Sequence, residues 1–89
     1  MTDPMTPWRI NWSSDAARFL SGMERGEARR IVAKLEAASR EPQRHFSRLS
    51  GHDDYKLRVG DYRVIALLMH SEKTIFVEKI SHRKNIYKK

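Results

Sequence analysis

The sequence predicts an α+β fold, with an N-terminal strand and a helical hairpin packed on a mostly antiparallel twisted sheet and a short basic C-terminal tail. Three observations carry that expectation. Two apolar stripes at helical spacing fill the first half of the chain, the period of the pattern switches to two after Asp54, and a Gly-Asp pair separates two of the alternating segments. Eighty-nine residues suit one small domain, read as residues 1–89.

Trp8, Ile10 and Trp12 alternate with Arg9 and Asn11, which predicts a short strand with one face on a core. Ser13 or Ser14 can cap the helix that follows, and Asp15 suits its positive first turn. Ala16, Phe19, Leu20 and Met23 then fall at i, i+3, i+4 and i+7. Gly22 or Gly26 can end this helix, after which Ala28, Ile31, Val32, Leu35 and Ala38 repeat the stripe until Pro42 forbids continuation. Ser50 to Asp54 form a polar break. Tyr55, Leu57 and Val59 next alternate with Lys56 and Arg58, and Gly60-Asp61 fits a two-residue hairpin turn with Gly at its first central position. Tyr62 to Met69 is almost wholly apolar, which predicts a central strand covered on both faces. After a turn at His70 to Lys73, Thr74 to Ile80 supplies a further β-branched strand, and Ser81 to Lys89 is a basic tail.

Eighteen Lys and Arg against eleven Asp and Glu leave a net charge of +7 and a sequence pI near 10.1, so the expected partner is a polyanion, with nucleic acid first and an acidic protein second. Residues 46–89 hold most of the excess, ten basic side chains against five acidic. Cysteine is absent, which removes disulfides, thiolate metal sites and a cysteine nucleophile. The four histidines never fall at ligand spacing, so no metal site and no cofactor are expected. His45, His52 and His70 read as loop residues, and Trp8 and Trp12 as packing residues. No apolar run approaches the ~20 residues of a membrane span, and Met1 to Pro7 lack the pattern of a signal peptide. A cytoplasmic protein is expected.

The turn assignment has a chemical consequence. With Gly60 and Asp61 as the loop, Val59 pairs with Tyr62, Arg58 with Arg63, Leu57 with Val64 and Lys56 with Ile65, and paired residues share a face. Lys56, Arg58 and Arg63 therefore converge. Like charges opposite each other cost up to about 1 kcal/mol, so a bound anion explains them better than stability does. A solvated face, with Asp54, Asp61 or Glu78 as ion-pair partners, is the plainer alternative. An antiparallel return of Thr74 to Ile80 is expected to bring His82, Arg83, Tyr87 and the terminal lysines to the same face.

The stretch from Tyr55 to Ile65, Y-K-L-R-V-G-D-Y-R-V-I, followed by Ile80 to Tyr87, I-S-H-R-K-N-I-Y, resembles the RelE branch of the RelE/ParE toxin superfamily. The likeness extends over almost the whole chain. It implies the toxin of a type II toxin–antitoxin pair that enters the ribosomal A site and cuts mRNA, with a small acidic antitoxin as regulating partner. By motif, the resemblance implies a catalytic set of Lys56, Arg63, Arg83 and Tyr87. Arg58, His82, Lys84, Lys88 and Lys89 would bind RNA phosphates. Some members carry a second lysine two residues before the one at Lys56, and here that place is Asp54.

Metal-independent RNA cleavage needs a base for the 2′-hydroxyl, cations for the phosphorane and an acid for the 5′-oxygen. Arg63 cannot lose a proton and so serves charge stabilisation. Lys56 can act as base only where crowding by Arg58 and Arg63 favours its neutral form, and Tyr87 can serve instead or stack on a nucleobase. Two other functions fit the same residues: a ParE-like toxin that inhibits gyrase without cutting RNA, and a plain RNA-binding module. Arg25, Arg29 and Arg30 on the second helix fit contacts to ribosomal RNA or a solvated face equally well.

Overall fold

The structure is a computed structural model and describes residues 6–49 and 54–82. β1 (Arg9–Trp12) leads into α1 (Ser14–Ser21) and α2 (Arg25–Ala38), then α3 (Pro42–His45), β2 (Ser47–Arg48), β3 (Asp54–Val59), β4 (Tyr62–Met69) and β5 (Thr74–His82). The five strands form one sheet in the order β1-β5-β4-β3-β2, antiparallel except where β1 lies parallel to β5.

Ser13 is the residue that caps α1. Its hydroxyl oxygen accepts from the Ala16 N–H at 3.0 Å, and its O–H donates to the Glu78 carbonyl at 2.7 Å, tying the helix start to β5. Gly22 closes α1, and the Glu24 side chain caps α2 by accepting from the Glu27 N–H at 3.1 Å. α1 rests on β5 and β1, and α2 on β3. Ile31, Leu35 and Ala38, one face of α2, are fully buried against Leu57, Val64, Ala66, Ile75 and Val77 of the sheet. Trp8 precedes β1 and is buried at the sheet end, where His70 packs edge-on against it at 5.2 Å.

The β3–β4 hairpin has the expected register, Val59 to Tyr62 through Lys56 to Ile65. Gly60 has φ of +59°, and Asp61 is not among the residues with positive φ, which is the signature of a type II′ turn. A Cβ at position 60 would also stand 3.3 Å from a guanidinium nitrogen of Arg30.

Three features differ from the sequence expectation. β4 is the middle strand, but only Val64, Ala66 and Leu68 are buried, while Arg63, Ile65, Leu67 and Met69 are half-buried on the other face. An unbroken apolar run does not report how many faces are covered; here α1 and α2 cover one. Pro42 ends the α2 stripe and also starts α3, at a position where its missing N–H costs nothing. His45, expected in a loop, is therefore the last residue of a short helix, and His70 opens a single 3-10 turn between β4 and β5.

Candidate nucleic-acid interface

Alternation along β3 and β4 sends Leu57, Val59 and Val64 to the helices and leaves Lys56, Arg58 and Arg63 on the opposite face, with Arg58 directly across from Arg63. Among the described residues, none of these three cations has a carboxylate within 4.0 Å. The partners offered by the plainer reading do not engage them: the Asp54 carboxyl is hydrogen-bonded to Glu78.

β2 is two residues long and pairs only with Tyr55 and Lys56, so among the described residues no strand lies beside the β3 edge beyond Lys56. An open recess of about 390 Å³ occupies that edge, lined by Lys56, Leu57, Arg58 and Arg63 together with Lys34 of α2, Arg44 and His45 of α3, and Ser47 of β2. Among the described residues no carboxylate lines it. Glu41 pairs with Arg44 at 3.1 Å on the exposed side of α3. Among the described residues the lining holds five cations and no acid, a charge set that suits an anion with several oxygens, such as a phosphodiester. Among the described residues no cluster of three or more His, Asp or Glu is arranged for a metal ion.

Of the residues expected at the site, the structure brings together Lys56, Arg58 and Arg63. His82 goes elsewhere. A bulge in β5 pairs Lys79 with Ile65 and Val77 with Ala66, leaving Glu78 as the extra residue. That insertion flips the alternation, so Ile80 faces Val64 in the core, Ser81 stands opposite Arg63, and His82 stands opposite Tyr62 on the helix-covered side. The His82 ring packs edge-on against Tyr62 at 4.8 Å, and Tyr62 in turn meets Phe19 at 6.2 Å. The Tyr62 hydroxyl donates to Glu27, and this bond is the main reason its pKa lies above 10.0. Arg83, Lys84, Tyr87, Lys88 and Lys89 lie outside the described residues, as does His52. The sequence reading missed Lys34, Arg44, His45 and Ser47 as recess residues; for Arg44 and His45 the available signal was Pro42 as a helix-initiating residue.

The Glu78 carboxyl is held above its ordinary value of 4.5 by burial first, and then by the charge and hydrogen bond of Asp54. A raised pKa in the folded state means that Glu78 contributes its full stability below pH 4.5 and loses that contribution as pH rises through the folded-state value. Relative to wild type, Glu78→Gln should therefore gain thermal stability between pH 4 and pH 7. An equal difference in Tm at both pH values would contradict the assigned pairing.

Comparison with known proteins agrees with the fold. Residues 10–87 match the family model described as ParE toxin of type II toxin–antitoxin system, parDE. No curated protein sequence matches significantly. Among solved structures, a chain of the toxin–antitoxin complex RelBE2 from Mycobacterium tuberculosis superposes with a TM-score of 0.78 at 24% identity, covering 92% of this chain and 98% of that one. A chain of the archaeal RelE–RelB complex from Pyrococcus horikoshii gives 0.71 at 24% identity over 88% and 97%. The intact E. coli RelBE complex gives 0.71 at 19% identity over 84% and 95%. At these identities the likeness is one of fold. The chain thus belongs to the ParE toxin family within the RelE/ParE superfamily, as the toxin of a type II toxin–antitoxin system.

Proposed function

We propose that this toxin is a ribosome-dependent mRNA endonuclease of the RelE type, acting in the A site by attack of the 2′-hydroxyl on the adjacent phosphate. The observation that carries the reading is the meeting of Lys56, Arg58 and Arg63 over one recess, with no carboxylate partner among the described residues. Arg63 and Arg58 hold the charge that builds on the phosphoryl oxygens, a role a permanently charged guanidinium fills well. Lys56 takes part in proton transfer. By resemblance, Arg83 supports the leaving group and Tyr87 stacks on a base or moves a proton, while Lys84, Lys88 and Lys89 add phosphate contacts. The chemistry uses protein groups alone and gives a 2′,3′-cyclic phosphate and a 5′-hydroxyl.

The solved relatives were captured as complexes with RelB antitoxins. We infer a cognate antitoxin for this chain too, with acidic segments that fold as they cover the basic recess. The working compartment is the cytoplasm, where ribosomes and mRNA meet; among the described residues no helix is long and apolar enough to cross a membrane.

A second reading has a specific observation in its favour: the matching family model is that of a ParE toxin, which points to gyrase inhibition without RNA cleavage. In vitro translation with the toxin added, followed by primer extension on the mRNA with and without ribosomes, separates the two. Cuts confined to the ribosome-containing reaction support the nuclease, and intact mRNA alongside stalled gyrase supports the alternative. If the protein only binds RNA, Lys56→Ala weakens a salt-sensitive affinity and there is no turnover to lose.

A further inference from the structure

His45 sits where the recess needs a proton acceptor. It closes α3 two residues ahead of Ser47, whose Cα pairs with that of Lys56. The chain on either side of it is anchored, since Pro42 is fully buried, Phe46 is 6% exposed, and the Phe46 N–H donates to the Pro42 carbonyl at 2.9 Å. The backbone is thus fixed while the exposed side chain lines the recess. Among the described residues five charged groups line that space: Lys34 from α2, Arg44 from α3, Lys56 and Arg58 from β3, and Arg63 from β4. The guanidinium groups cannot deprotonate, and lysine at its ordinary value is charged at neutral pH. Among the described lining residues, imidazole is the one side-chain type whose ordinary titration range spans neutrality.

We propose that His45 is the general base of the cleavage reaction, an assignment that rests on the nuclease reading. The 2′-hydroxyl proton passes to a neutral imidazole nitrogen of His45 as the 2′-oxygen bonds to phosphorus. The bond from phosphorus to the 5′-oxygen breaks, and that oxygen takes a proton from the Lys56 ammonium. The charge on the non-bridging oxygens is held by Arg58 and Arg63. Solvent then carries the proton from His45 back to Lys56, so both groups return to their starting states.

The test is single-turnover cleavage of mRNA on programmed ribosomes between pH 5.5 and 8.5, with wild type, His45→Gln and His45→Ala. Because the side chain is exposed, both variants should keep the wild-type Tm and ribosome affinity. Wild-type rate rises with pH through one ionisation in the imidazole range. His45→Gln loses that inflection and slows by on the order of 10²-fold or more, the usual worth of a positioned base. Added imidazole restores part of the rate to His45→Ala. A wild type that cleaves beside a His45→Gln protein that cleaves within threefold of it, or with the same pH profile, overturns the assignment alone. A rate loss matched by an equal loss of ribosome affinity also overturns it, because His45 would then be only an anion contact. A wild type that leaves mRNA intact at every pH overturns the nuclease reading itself.

Discussion

Arg63→Ala should lower ribosome-dependent cleavage by on the order of 10²–10³-fold, about 2.7–4 kcal/mol of transition-state stabilisation, while leaving the folded protein as stable as before. The two effects separate because of where Arg63 stands. Its Cα faces that of Arg58 across the β3–β4 ladder, and among the described residues no carboxylate pairs with either. Without substrate the pair is a like-charge contact that costs up to about 1 kcal/mol, so its removal leaves Tm unchanged or slightly raised. With a phosphodiester bound, the same charge meets the oxygens that become more negative as the 2′-oxygen attacks. Thermal denaturation alongside single-turnover cleavage checks both halves. Unchanged activity would remove Arg63 from the site, and a Tm that falls with activity would make it a structural residue.

Leu35→Ala should have the largest effect on stability. Leu35 is fully buried in the C-terminal half of α2 and belongs to the cluster that joins α1 and α2 to the sheet. Truncating a leucine in such a position costs about 2–5 kcal/mol through lost transfer energy and the cavity left behind. That is a large share of the ~5–15 kcal/mol that holds a small domain together. At roughly 4–8 °C per kcal/mol for a chain of this size, Tm should fall by about 10 °C or more. The surface substitution Lys56→Ala should move it little. A change under 1 kcal/mol for Leu35→Ala would mean that α2 is not the element that closes the core.

The parts of the fold legible in the sequence were those governed by local rules. Gly60-Asp61 allowed one two-residue turn, and that turn dictated the register which brings Arg58 to Arg63. The stripe from Ala28 to Ala38 is long enough for its helical period to be unambiguous, and α2 ends at Ala38. α3 and β2 were not legible, because four residues and two residues are too few to show any period. With them went Arg44, His45 and Ser47, and Lys34 of α2 also reaches the recess only through tertiary placement.

His82 shows a second limit. Counting by twos from Thr74 puts His82 on the face that Arg63 occupies, and the count is right until Glu78. The bulge there inserts one residue and reverses the parity of all that follows, sending His82 to Tyr62. Nothing in the apolar pattern of Thr74 to Ile80 announces an extra residue. β4 shows the same blindness in another form, since its apolar side chains serve a buried face and a half-buried one alike.

The most direct test of the account is a structure of the toxin on a programmed ribosome carrying mRNA with a 2′-O-methyl group at the cleavage position, which blocks attack without displacing the phosphate. The predicted result has the scissile phosphate in the recess between Lys56, Arg58 and Arg63, with the methylated oxygen facing His45. A phosphate seated on another face of the protein, with that recess open to solvent, would contradict it.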